Sequence, residues 1–200
     1  MAKLKLIVGL GNPGKDYEKS RHNLGFRVVS ELAKGFKLRF KKSEVLQSLI
    51  LQAKIKNENV LLCLPLVFMN NSGEAVKKII ARKKINFKDL LIVLDDVNLQ
   101  SGSLRIRAAG SSGGHNGLNS IIESLGATQF SRLRLGIGIT KRNPDLTDFV
   151  LASFSKEEER SLLPVIKKAK DCILSWIKQG VIKTMNEFNQ NNDITYGVRH

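Results

Sequence analysis

The chain is predicted to form a single α/β domain around a twisted, mixed, mostly parallel β-sheet with helices on both faces. Three observations carry that expectation. Short apolar runs alternate with stretches of helical period, as α/β architecture requires. Two strand-like runs, SLILQAKI (48–55) and NVLLCL (59–64), flank a hairpin-type turn at Lys56-Asn57-Glu58-Asn59, which introduces antiparallel pairing. A chain of 200 residues, 42% of them hydrophobic, is long enough to bury one real core and shows no internal repeat.

The elements follow in order. LKLIV (4–8) reads as a buried strand, and NLGFRVVSELAKGF (23–36) sets Phe26, Val29 and Ala33 at helical spacing. After the hairpin, SGEAVKKIIARKK (72–84) reads as a helix with Ser72 as its cap, and DLLIVLDD (89–96) as a strand ending in two carboxylates. SLRIR (103–107) alternates like a strand. The glycine-rich AAGSSGGHNG (108–117) leads into the helical LNSIIESLG, and RLRLGIGI (132–139) is the next strand. Two helical segments, SKEEERSLLPVIKKAKDCIL and LSWIKQGVIKTMNEF, share a basic face, with Pro164 near a first turn or kinking the former. The domain is expected to span residues 1–190, and NNDITYGVRH (191–200) to be an extension without structure of its own.

Charge narrows the partner. Lys and Arg number 33 against 18 Asp and Glu, a formal +15, which implies a polyanion. No apolar run approaches the ~20 residues of a membrane span. Basic amphipathic helices with bulky aromatics opposite are also absent from the pattern, so nucleic acid is favoured over a membrane surface. Aromatics are 6% of the chain, which favours backbone recognition over base stacking. The start, MAKLKLIVGL, reads as a first strand rather than a secretion signal. Cys63 and Cys172 are far apart and lie in apolar patterns, so they read as buried thiols of a reducing compartment. His22, His115 and His200 are too scattered to spell a metal motif.

The polar residues fall in a pattern. Asn12 follows the first strand, Asn70 and Asn71 follow the strand at 59–64, Asp95 and Asp96 end the strand at 89–96, and His115 and Asn116 open a helix. In open α/β sheets, sites form beyond the carboxyl ends of the strands, so these residues should gather at one rim with His22 nearby.

The first loop, GLGNPGKDYEKSRHNLGF, contains G-x-G-x-x-G at Gly9, Gly11 and Gly14, the spelling of a dinucleotide site. Such a loop should pass straight into a helix whose N–H groups face a pyrophosphate. Here KDYEKSRHN intervenes, and Glu31, at the distance of a ribose-binding acid, falls inside a helix. Context therefore rejects a nicotinamide oxidoreductase. The glycines are expected to form a tight turn that brings Asn12 close to a substrate.

That first stretch, together with PLVFMNNSG, LDDVNLQSG, GSSGGHNGLNSII and FSRLRLGIG in the same order, resembles the signature of bacterial-type peptidyl-tRNA hydrolases over about residues 3–188. The resemblance implies a monomeric, cytoplasmic α/β enzyme with no cofactor, no metal, no membrane and no obligate protein partner. Such an enzyme hydrolyses the ester joining a peptide to the 3′ end of tRNA and so recycles tRNA for translation. By position, His22 matches the family's catalytic base and Asp95 its paired carboxylate. Asn12, Asn70 and Asn116 match substrate-positioning asparagines, Met69 and His115 further pocket residues, and Tyr17 joins the substrate-binding set. Arg107 and Arg134 fall where the family grips the tRNA 5′-phosphate. Ser20 stands where Thr is usual, and Asn98 where many members have Asp, which should weaken the local negative field.

The residues themselves fit ester hydrolysis. An imidazole with a pKa near ~6.5 can take a proton from water, and a carboxylate on its other nitrogen fixes the tautomer. No G-x-S-x-G elbow is present, so no serine nucleophile is needed. His115 adjoins a helix N-terminus, whose dipole disfavours imidazolium, so it suits a neutral hydrogen-bonding role. Amides offer a donor and an acceptor without charge, which suits peptide backbone of any sequence; Asn12 is assigned to the developing oxyanion. Arg107 and Arg134, with Arg105 and Arg132, lie on strand-like RIR and RLR segments, where guanidinium can contact phosphate bidentately. The rival reading is an RNA-binding protein on the same fold without hydrolysis. The rim residues His22, Asp95 and the three asparagines favour the enzyme.

Overall fold

The computed structural model describes residues 3–138 and 145–190. The tail expected at 191–200, and Ile139 at the end of an expected strand, lie outside the described residues.

Hydrophobic alternation builds the sheet. In β1 (Leu4–Gly9), Ile7 faces one side while Leu6 and Val8 face the other. The same division runs through β4 (Glu58–Pro65), with Leu62 against Leu61 and Cys63, and through β5 (Leu90–Asp96), with Leu91 and Val93 against Leu90, Ile92 and Leu94. Strands apolar on both faces must be covered on both, which is what the sequence expected. On one side lie α1 (Leu24–Gly35) and the long α5 (Lys156–Gln179); on the other lie α2 (Ser72–Lys83) and α3 (Asn116–Leu125).

With β2 (Lys41–Ser43), β3 (Ser48–Ile55), β6 (Leu104–Arg107) and β7 (Ser131–Gly136), the sheet has seven strands in the order β2-β3-β4-β1-β5-β7-β6. The central neighbours β4, β1, β5 and β7 run parallel. The outer pairings, β2 with β3, β3 with β4 and β6 with β7, are antiparallel. The expected hairpin is present, and Lys56 and Asn57 both take positive φ, 53° and 66°, as a tight two-residue turn demands. Cys63 and Cys172 sit in opposite layers, and burial pushes each thiol up to about 12.

Three local expectations are corrected. Ser72 is not a cap: the chain enters α2 directly from a 3-10 turn at Met69–Asn71, Ser72 is already helical, and its buried hydroxyl has no hydrogen-bond partner among the described residues. The two terminal segments do not part near Leu174, because the apolar stripe continues through Cys172, Ile173, Trp176 and Ile177. The helix ends instead at Gly180, whose φ of 78° breaks it before α6 (Val181–Phe188). Pro164 lies more than two turns into α5, on its exposed side, where the carbonyl it cannot bond faces water. One short helix was not foreseen, α4 (Leu146–Leu151), capped by the Asp145 side chain.

The glycines of the first loop answer to packing more than to ligand. A Cβ at Gly9 would lie 2.5 Å from the Gly25 carbonyl oxygen, and one at Gly25 would strike the Val93 carbonyl. Paired glycines thus let the first turn of α1 rest on the ends of β1 and β5, which brings the His22 turn down onto Asp95. Backbone cannot yield as a side chain can. Gly25→Ala is therefore expected to cost about 3 kcal/mol or more, at or above the upper end of overpacking penalties, in urea unfolding. A loss under about 1 kcal/mol would show that α1 can lift without cost.

Candidate active site

The parallel centre of the sheet sets the place of the site. Asp95 is the penultimate residue of β5, Asn12 follows β1, and Met69–Asn71 follows β4. His22 comes from a 3-10 turn at Arg21–Asn23, and His115 caps α3 with Asn116 as its first residue. Asn12, His22, Met69, Asn70, Asp95, His115 and Asn116 all line one pocket of about 750 Å³, within the usual size for a ligand site. Tyr17, Arg107 and Arg134 do not line it. Tyr17 backs Phe68, a pocket residue, edge to face at 6.4 Å.

Asp95 is 1% exposed and accepts from two rings. Nδ1 of His22 lies 3.1 Å from each carboxylate oxygen, and Nε2 of His115 lies 3.1 Å from Oδ1. The two rings are 4.6 Å apart. The protons can be placed. The Leu118 amide N–H donates to His115 Nδ1 at 3.2 Å, so the proton of that ring is on Nε2 and points at Asp95. His22 directs Nδ1–H at the same carboxylate, which leaves its Nε2 as a lone pair in the pocket. The rings hold opposite tautomers. Burial would raise the Asp95 carboxyl, but His115 and His22, by charge and hydrogen bond, outweigh it and hold the group below the usual carboxylate range.

Among the described residues, His22, Asp95 and His115 also form a cluster with potential ligand atoms within 4.8 Å of one another. A cation there would have to displace both ring protons from Asp95. It would also move the remaining proton of His115 onto the nitrogen that accepts from Leu118. The donor pattern fits protonated hydrogen bonds better than metal ligation.

The amides are also oriented. The Asn12 side-chain oxygen accepts the Met69 N–H at 2.8 Å, so its NH₂ group is left as a donor with no acceptor among the described residues. Its backbone is clamped by Asn23, whose oxygen accepts the Asn12 N–H at 2.8 Å and whose NH₂ donates to the Asn12 carbonyl at 2.9 Å. Asn70 and Asn116 are exposed at the mouth.

The arginines divide into two kinds. Register sets Arg105 opposite Arg134 and Arg107 opposite Arg132, stacking four cations on one edge of the sheet. Arg132 is 1% exposed, donates to the carbonyls of Gly110 and Thr128, and is lowered to about 10 by burial and by Arg134. Arg134 pairs with Asp96 at 3.1 Å and donates to the carbonyls of Ser111 and Ser112 at 3.2 and 2.9 Å. Its two terminal nitrogens thus hold the glycine-rich loop to β5, a Cβ at Gly113 would meet them at 2.7 Å, and its buried Nε has no hydrogen-bond partner among the described residues. Asn98 ties the same loop by donating to the Gly113 carbonyl at 3.1 Å, a bond a carboxylate could not make. Arg105 and Arg107 have no ion-pair partner among the described residues. Arg107 pairs across β7 at the level of Ile92, three residues or ~10 Å along the sheet from Asp95.

Sequence reasoning missed Asn23, Phe68, and the α4 wall of Leu146, Thr147, Val150 and Leu151. The cap signature of Asp145 before Thr147 and Asp148 was the available signal for α4. Nothing in an asparagine beside His22 announces that it will clamp the backbone of the same loop eleven residues earlier.

The chain therefore carries, on a mixed α/β sheet, an imidazole held by a buried carboxylate and a set of amides around one pocket, groups that suit a hydrolase. The family model for peptidyl-tRNA hydrolase matches residues 6–195. A peptidyl-tRNA hydrolase of Aquifex aeolicus (strain VF5) is 45% identical over 88% of this chain and 91% of its own length. One of Geobacillus kaustophilus (strain HTA426) is 42% identical over 94% of this chain and 100% of its own length. The crystal structure of peptidyl-tRNA hydrolase from Acinetobacter baumannii aligns with a TM-score of 0.87 at 33% identity, covering 94% of this chain and 96% of that one. The chain belongs to the peptidyl-tRNA hydrolase family.

Asp95→Asn tests the proton arrangement. An amide keeps one oxygen for both rings but sets an NH₂ group, a donor, against the His22 Nδ1–H, and it removes the charge that would stabilise an imidazolium. Ester turnover is expected to fall ~10²–10⁴-fold. Stability carries a pH signature of defined sign. The depressed carboxyl contributes above its unfolded value of ~3.9, and that contribution is lost as pH falls through the lower native value. The stability gap between wild type and Asp95→Asn should hold above about pH 5 and close in acid; a gap independent of pH would remove the charge from the account.

Proposed function

We propose that the chain hydrolyses the ester between a peptide, or an N-blocked amino acid, and the 3′ end of tRNA in the cytoplasm, acting as a monomer without metal or cofactor. The observation that carries this reading is the pair of opposite tautomers on Asp95, which presents His22 Nε2 to the pocket as a lone pair. Water bonded to that nitrogen gives up a proton as its oxygen attacks the ester carbon. Asp95 stabilises the imidazolium that forms. The Asn12 NH₂, aimed by the Met69 amide, donates to the developing oxyanion, a role often worth ~3 kcal/mol. The carbon–oxygen bond to the ribose then breaks, and the proton passes from His22 to the leaving 3′-oxygen. His115 has both ring nitrogens occupied, so it holds the carboxylate and does not take the proton. Asn70 and Asn116 bind peptide backbone, which lets the pocket accept many sequences.

The tRNA is held by charge. Arg107, with Arg105 beside it, reaches phosphate from the sheet edge, and Arg134 supports that surface from within by fastening the loop. Among the described residues, no helix is long and apolar enough to cross a membrane.

Release of free tRNA from a purified N-blocked aminoacyl-tRNA tests the base: His22→Ala should lower kcat ~10²–10⁴-fold. Turnover near wild type would remove His22 from the role. Arg105→Ala with Arg107→Ala should weaken binding of full-length substrate and lower the salt slope by about 2, one per contact, while sparing a small aminoacyl ester. Equal effects on both substrates would exclude a phosphate contact.

A further inference from the structure

Beside His22 stands Arg21, a guanidinium that does not reach the pocket, is 8% exposed, and ties together α4, the link that follows it and the start of α5. Its Nη1 donates to the carbonyls of Phe149, Ala152 and Ser153 at 3.4, 3.2 and 3.1 Å. Its Nη2 meets both carboxylate oxygens of Glu158 at 2.9 Å. Its plane rests against Phe149 at 4.5 Å and Phe154 at 5.2 Å. The Arg21 amide also donates to the Ala152 carbonyl at 3.1 Å, and Ser20 bridges Ser153.

These contacts bear on the pocket through α4. That helix has six residues, none fully buried, and only Phe149 and Val150 pack partly against the core, so propensity and packing hold it weakly. Its Leu146, Val150 and Leu151 nevertheless form an apolar wall facing Asn12 and His22. The carbonyls at its C-terminal end lack helical partners and favour a cation, and Arg21 supplies one. Glu158 anchors the other side of the fork, itself fixed in the capping box that starts α5, where it accepts the Ser155 N–H at 2.6 Å.

We propose that Arg21 and Glu158 are positioning residues that fix α4, and thereby set how tightly the pocket grips the side chain of the esterified amino acid. The inference rests on reading this pocket as the peptide site. It separates two neighbours in sequence: His22 acts on the bond, and Arg21 holds the opposite wall. Lysine cannot replace the fork, because one ammonium cannot span three carbonyls and a carboxylate at once.

The test compares N-acetyl-phenylalanyl-tRNA with N-acetyl-alanyl-tRNA in wild type, Arg21→Lys and Glu158→Gln, with hydrogen exchange followed across residues 146–152. In Arg21→Lys, KM for the phenylalanyl substrate should rise about tenfold, while KM for the alanyl substrate and both kcat values stay within about twofold. Exchange in α4 should quicken. Glu158→Gln keeps one acceptor oxygen and should shift the same quantities less, which preserves the test if Arg21→Lys folds poorly. Unchanged exchange in α4 would overturn the tether. Faster exchange with equal KM changes for both substrates would overturn the selectivity, and a kcat loss at constant KM would place Arg21 behind His22 instead. Wild type that frees no tRNA from either substrate would refute the hydrolase reading itself, a failure distinct from these.

Discussion

A carboxylate sealed inside a protein is costly unless its charge is met, and the structure turns on how Asp95 meets that demand. It sits where β5 leaves the core, 1% exposed, with hydrogen bonds from His22 and His115 as its compensation. Each histidine arrives from a different direction: one on a turn that closely packed glycines press onto the sheet, the other at the head of α3. The Leu118 amide settles the second ring, and the shared acid then settles the first. Stability and reactivity are thus one arrangement. The same two bonds that make the buried charge tolerable leave a single imidazole nitrogen with a lone pair and no partner among the described residues.

Around that centre, similar residues do unlike work. Asn23 closes the first loop on itself through Asn12, and Asn12 ties that loop to the Met69 turn, while Asn70 and Asn116 stay exposed at the pocket. Arg21, Arg132 and Arg134 spend their donors on backbone carbonyls and carboxylates, bracing the loops that deliver the site, whereas Arg105 and Arg107 keep theirs for solvent or a ligand. Buried guanidinium is well suited to bracing, because one planar group can satisfy several orphaned carbonyls together. The excess of positive charge therefore overstates the surface available to a polyanion. Part of it is internal scaffolding.

The sheet was legible because its signals are local: unbroken apolar runs for the central strands, a tight turn for the hairpin, and polar residues where parallel strands end. Those same ends brought Asn12, Asp95 and Asn70 to one rim, and the glycine-rich loop after the antiparallel β6 returns Asn116 to it. Other features were hidden because they depend on distant partners. Ser72 looks like a cap until the preceding 3-10 turn makes it part of the helix. Pro164 looks like a break, yet the helix runs through it, with the proline on the exposed side where water can reach the freed carbonyl. Arg134 reads as a phosphate grip, and its hold on Asp96 and the loop carbonyls is a bracing role that the sequence does not announce. Tyr17 belongs to a telling motif yet stands one ring back from the pocket. The α4 wall escaped because six weakly packed residues carry no periodic signal of their own.

Proton placement on the two imidazoles is the centre of the account, and nitrogen NMR of the isotopically labelled protein near pH 8 reads it directly. The account predicts opposite neutral tautomers: His22 protonated at Nδ1 with a free Nε2, and His115 protonated at Nε2 with Nδ1 accepting from an amide. Finding His22 protonated at Nε2 would contradict it, since the nitrogen facing the substrate could then accept no proton from water.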